Sequence, residues 1–213
     1  MGTDIHGVFQ RHDKATGQWQ DVPSNYEQER HYQLFAVLAG VRNGYGFAGI
    51  TTGEAVVPIA KPRGLPADFA VEDDAHPLST LEHTDPRRRK WYEAGEKLEV
   101  WMGDHSYSWL TGNEILAWAE KAPEVVKIGV LDRAAYEAWD GTSRPSSYCG
   151  GISGRDVVQI NDNAVEKAAT PNWTHIRCNW QSDLRAELAY FFDEVARLTA
   201  EYGAVRFVFG FDS

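Results

Sequence analysis

The stretch from Ser182 to Asp212 limits what this chain can fold into more than any other. Leu184, Leu188, Phe191, Phe192, Val195, Leu198 and Tyr202 recur at helical spacing, so a helix over 182–202 has an apolar face that must be covered. Ser182 is its expected N-cap, Asp183 sits in the first turn where the helix dipole favours an acid, and Gly203 ends it. Val205 to Phe211 is an apolar strand that closes on Asp212, and it is expected centrally in a sheet. At the other end, residues 3–11 read as a strand, Asp13 to Gly17 as a turn and Gln18 to Val22 as a returning strand. Together these predict one α+β (or α/β) domain over 1–213. Its mixed sheet holds the first and last strands, and the 182–202 helix packs on that sheet.

Between the ends, Tyr32 to Gly40 reads as a short apolar helix with Gly40 as its C-terminal cap. Thr111 and Glu114 have capping-box spacing ahead of a helix that runs to about Ala122 before Pro123. A short helix is expected over 131–139, and strands over 156–160 and 174–180. The segment 58–93 is rich in Pro, Asp and His, with acids from Asp68 to Asp74 and the basic run Arg87 to Lys90. It is read as an insertion or flap within the domain.

Composition narrows the classes of function. At 43% hydrophobic and 24% charged the chain is ordinary globular protein, and no apolar run approaches the roughly 20 residues of a membrane helix. The N-terminus has no basic-then-apolar signal pattern, so a cytoplasmic protein is expected. Two cysteines make no disulfide framework. A net charge of −10 argues against general nucleic-acid binding, which needs a basic face. A local group of arginines still leaves a small anionic partner open.

Several polar residues are candidates for chemistry. Asp4 and His6 share one face of the first strand, the simplest way to set two metal ligands or an acid–base pair side by side. Asp104, His105, Ser106 and Ser108 precede the capped helix. There His105 is the candidate base or metal ligand, Asp104 its orienting partner, and the serines donors to an anion. Asp212 ends an apolar strand, where open α/β sheets tend to place site residues. The loops Asn43–Gly46 and Cys149–Gly154 bring glycine backbone beside Arg42 and Arg155, the candidate substrate-binding arginines. Each group also has a structural reading: caps, turns and solvated chain ends.

Four segments carry a resemblance: Met1 to His6, Leu34 to Arg42, His105 to Leu110, and Phe211-Asp212. With them the chain resembles a family of small bacteriophage and actinobacterial proteins that share Met-Gly-x-Asp-Ile-His and His-Ser-x-Ser-Trp-Leu motifs. That resemblance implies little about activity beyond a phage setting, with nucleotide metabolism or counter-defence as the analogy. The first expectation is a metal-dependent hydrolase of a phosphoester or nucleotide-like molecule. Asp4, His6, His105 and Asp212 would bind a divalent ion, and Arg42 and Arg155 the substrate. The alternatives are a non-catalytic protein that sequesters a nucleotide signal, and a structural or partner-binding protein.

Overall fold

A computed structural model of the chain describes residues 2–28, 30–69, 78–82 and 97–212, with backbone alone for 78–82 and 97–101. The chain opens with the hairpin β1 (Ile5–Asp13) and β2 (Gln18–Val22). α1 (Tyr32–Ala39) follows. Gly40 ends it at φ 73°, a left-handed conformation glycine adopts without strain, and its N–H bonds back to Ala36 and Phe35. A second hairpin pairs β3 (Leu78–Glu82) with β4 (Lys97–Trp101), and β5 (His105–Thr111) leads straight into α2 (Gly112–Ala119). Then come β6 (Glu124–Asp132), α3 (Arg133–Ala138), β7 (Gln159–Asn161) and α4 (Ala164–Ala169). The chain finishes with β8 (His175–Asp183), α5 (Leu184–Glu187), α6 (Ala189–Tyr202) and β9 (Val205–Phe211).

The first and last strands are neighbours. One sheet has the order β2-β1-β9-β5, antiparallel throughout, and a second has the order β6-β8-β7. The mixed pairing lies in the second sheet, where β6 runs antiparallel and β7 parallel to β8. The fold is α+β, and β9 lies inside its sheet, paired with β1 on one side and β5 on the other, with all seven of its residues buried. On one face Ile5 and Phe9 lie with Phe207, Phe209 and Phe211, and the apolar sides of α1, α2, α5 and α6 cover them. The opposite face buries Val8 and Val208 with Phe69 and Met102. Arg206 is buried there too: it pairs with Asp68 at 2.8 Å, donates to Gln10 at 2.8 Å and lies 4.3 Å over the Trp19 ring.

Three expectations change. The helix expected over 182–202 begins at Leu184 and breaks at Leu188, whose ψ of 17° interrupts the helical run. Ser182 still belongs to β8, because Ile176, Cys178, Trp180 and Ser182 alternate inward, and Asp183 is the N-cap. Residues 124–130 form most of β6, which the sequence did not flag because its apolar residues bunch rather than alternate. Of the expected 58–93 insertion, Ile59 and Ala60 pack against the core on the first face, whereas Leu65 and Phe69 meet the second face of the sheet, where the Gly64 N–H donates to the Tyr107 carbonyl. Residues 70–77 and 83–96, with Glu72, Asp73, Asp74 and the run Arg87 to Lys90, lie outside the described residues. No helix among the described residues is long and apolar enough to cross a membrane.

Candidate functional site

Pairing of β1 with β9 gathers three of the expected residues. His6 lies opposite Gly210, so the side chain of Asp212 falls on the same face, and His6 Nε2 is 3.1 Å from Asp212 Oδ2. The Asp4 N–H donates to Asp212 Oδ1 at 2.9 Å. The carboxylate of Asp4 accepts two bonds from Arg30, at 2.8 and 2.6 Å, and that guanidinium holds its pKa below the usual range.

His105 does not join this cluster. It lies across β9 from Ile5, opposite Phe211, and its ring stacks on Phe211 with centroids 6.1 Å apart. That places it on the face of Ile5, whereas His6 points to the other face, and β9 stands between their strands at roughly 4.8 Å per strand. The expected metal set of Asp4, His6, His105 and Asp212 is therefore divided between two faces. Among the described residues no group of three or more His, Cys, Asp or Glu side chains is placed to hold a metal ion. Asp104 stands 4.0 Å from His105 Nε2, its expected role as neighbour, but its N–H is committed to the Phe211 carbonyl.

The two serines serve the edge of the sheet. Ser106, at φ 54°, sits where the register of β5 shifts, with its hydroxyl 3.0 Å from His105 Nδ1. Ser108 is buried and accepts the Arg63 N–H at 3.2 Å. The capping box forms as its spacing predicts: the Glu114 N–H donates to Thr111 Oγ1 at 3.2 Å, and the Thr111 N–H to Glu114 Oε2 at 2.8 Å. Arg155 is exposed and does not line the cleft described next, whereas Arg42 does.

Polar groups converge instead in a cleft of about 300 Å³ at the N-terminal end of α1, facing β6. Both glycine loops hang on the free edge of β6. The Ile128 N–H donates to Thr52 at 2.8 Å and the Glu54 N–H to Val126 at 2.9 Å, while Cys149 and Val130 exchange bonds of 3.0 and 2.8 Å. Gly53 is required at this junction, since a Cβ there would stand 2.5 Å from the Val126 carbonyl oxygen. The loops thus bring Gly44, Tyr45, Thr52, Tyr148 and Gly150 to the wall of the cleft.

Four cationic side chains line it, Arg30, Arg42, Lys127 and Arg144, against one carboxylate, Glu187. The chain-end residues act from behind: Asp4 fixes Arg30, and Arg42 Nε donates to Thr3 Oγ1 at 2.9 Å. Lys127 is mostly buried; its ammonium bonds Gln33 Oε1 and lies 3.5 Å from Glu187 Oε1. Burial pushes its pKa down and Glu187 opposes that shift. His31 Nδ1 accepts the Leu34 N–H as the cap of α1, which places the proton of the neutral ring on Nε2, 3.7 Å from Glu187. Burial lowers the His31 pKa; Glu187 pulls against it, and Lys127 and Arg144 add to the lowering.

Two features of the cleft lack a polar or ionic partner among the described residues. Gln33 Nε2 is buried and has no hydrogen-bond partner among the described residues, because Lys127 holds the oxygen of that amide. Arg144 has no carboxylate within ion-pair distance among the described residues, and its guanidinium lies 5.6 Å over the Tyr148 ring. Sequence reading found Arg42 and both glycine loops. It missed Arg30, His31, Gln33, Lys127, Arg144 and Glu187, which share no local motif. The one available signal was Lys127, a lone charge among apolar residues of β6. No protein-family model, curated protein or solved structure matches the chain.

Proposed function

We propose that the protein is a receptor for a small anionic molecule, held in the cleft between α1 and β6. One observation carries this reading: four cationic groups and an unpaired amide donor converge on one cavity against a single carboxylate, in a chain of net charge −10. Lys127, mostly buried beside the cavity, recovers the cost of its burial when it bonds phosphate or carboxylate oxygens, the exposed guanidiniums of Arg30 and Arg144 add positive charge, and Gln33 Nε2 gains the acceptor it lacks. The N-terminal end of α1 adds the favourable pole of its dipole. Binding without turnover is the simpler chemistry here, because His31 Nδ1 is engaged as the cap and its Nε2 faces Glu187.

Metal-dependent hydrolysis would require His6, Asp4 and Asp212 to exchange their present bonds for a metal ion, with His105 contributing from the opposite face. The free thiols of Cys149 and Cys178 suit a reducing compartment such as the cytoplasm.

Titration calorimetry and thermal shift with inorganic phosphate and pyrophosphate test the proposal. Saturable binding is expected, with unfolding free energy rising by about 2.7 kcal/mol at a hundredfold excess of ligand over Kd. Arg144→Ala, a change at an exposed side chain, should weaken binding about tenfold, and added salt should weaken it further. Neither anion producing a saturable shift would sink the reading.

A further inference from the structure

The cleft is lined by aromatic rings as well as by cations. Tyr45 is 52% exposed, and no other ring of the described residues packs on it. Tyr148, 41% exposed, is held by Trp180 in an edge-on contact at 4.7 Å and by Arg144 over its face. The two tyrosines come from the two separate glycine loops, and both line the cavity that contains Lys127 and Arg144. An anion such as phosphate uses only the cationic groups. Exposed aromatic rings lining the same cavity as those cations fit a ligand with a flat apolar surface at one end and negative charge at the other.

Resting on the anion-receptor reading, we propose that the ligand is a nucleoside monophosphate. Its phosphate is held by Lys127, Arg144 and Gln33 Nε2, and its base stacks on Tyr45 with Tyr148 as the facing wall. Size supports one nucleotide rather than a strand: the cavity, about 300 Å³, lies at the small end of small-molecule sites. A polynucleotide would also meet the negative charge of the whole chain.

The experiment measures affinities for AMP, GMP, CMP and UMP beside ribose 5-phosphate and pyrophosphate, on the wild-type protein and on Tyr45→Leu and Tyr148→Leu. At least one nucleoside monophosphate should bind roughly five- to a hundredfold more tightly than ribose 5-phosphate, the span expected for one stacked base. Tyr45→Leu should remove most of that advantage, read as the ratio of nucleotide to ribose 5-phosphate affinity in the same variant, and Tyr148→Leu should reduce it. Tyr45 is exposed, so its replacement leaves the fold intact, and melting temperature confirms this for both variants. If all four nucleotides bind no better than ribose 5-phosphate, the base-stacking proposal is overturned while the anion receptor stands. If no phosphate compound binds, both fall.

Discussion

Glu187 joins three polar groups that would otherwise be costly to bury. Its carboxylate lies 3.5 Å from Lys127 and 3.7 Å from His31, and it accepts the Ser182 hydroxyl at 2.8 Å. Removing one member of such a buried pair leaves its partner uncompensated, which is why the cleft tolerates a lysine at all. His31 makes the arrangement sensitive to pH. Its folded pKa lies below the ordinary 6.5, chiefly through burial, so the unfolded chain binds a proton more readily than the folded one. The stability contributed by the neutral ring is therefore complete above about 6.5 and is lost as pH falls below that value. Protonation would also cost the Leu34 cap. His31→Asn keeps a capping oxygen but cannot titrate, so in urea unfolding from pH 5 to 8 it should lack the acid-side loss seen in the wild type. Parallel stability profiles for the two proteins would remove His31 from the account.

At the scale of elements, the junction of β5 and α2 shows how a local signal becomes a tertiary one. Thr111 and Glu114 cap the helix reciprocally, and Arg63 then reaches in from the segment before β3 to bond both Glu114 oxygens, at 2.6 and 3.2 Å. The Arg63 bond, foremost, and the two Thr111 bonds hold the Glu114 carboxyl at about 2. The pair is about one-third exposed, so solvent screens it, and a glutamine at 114 keeps the reciprocal cap while losing the charge. Glu114→Gln is expected to cost about 0.5 kcal/mol at neutral pH. A depressed folded pKa stabilises above the unfolded value of 4.5 and ceases to do so as pH falls toward 2, so the variant and wild type should converge over that window. Denaturant midpoints at pH 7 and pH 3 check this; a gap that stays constant would mean the charge of Glu114 plays no part.

For the whole molecule, the dominant fact is that β1 pairs with β9 across nearly the entire chain, with Ile5 opposite Phe211. β9, an interior strand, is flanked on both sides by strands from far earlier in sequence. Closing such loops costs entropy before the pairing repays it, so this topology folds slowly for its size. Stopped-flow refolding followed by tryptophan fluorescence should show a main phase in milliseconds to seconds. A microsecond main phase would mean that the sheet is not the rate-limiting structure. The same long-range closure brings Thr3 and Asp4 behind Arg42 and Arg30, so the site and the core are completed by one event.

Local chemistry alone determined the opening hairpin, α1 with its Gly40 cap, the Thr111–Glu114 box and the apolar run of β9. These depend on backbone propensity and on periodicities that repeat within a few residues. It also placed Asp4 and His6 on one face, because a strand alternates whatever it pairs with. Whether His6 meets His105 was a matter of register and strand order, and those put the two imidazoles on opposite faces of one sheet. The cleft belongs wholly to the tertiary structure. Arg30, Lys127, Arg144 and Glu187 come from four separate places in the chain, and nothing in their neighbours' spacing records that the free edge of β6 and the start of α1 face each other. Elements follow from short-range patterns, whereas a site follows from which faces and edges those elements present to one another.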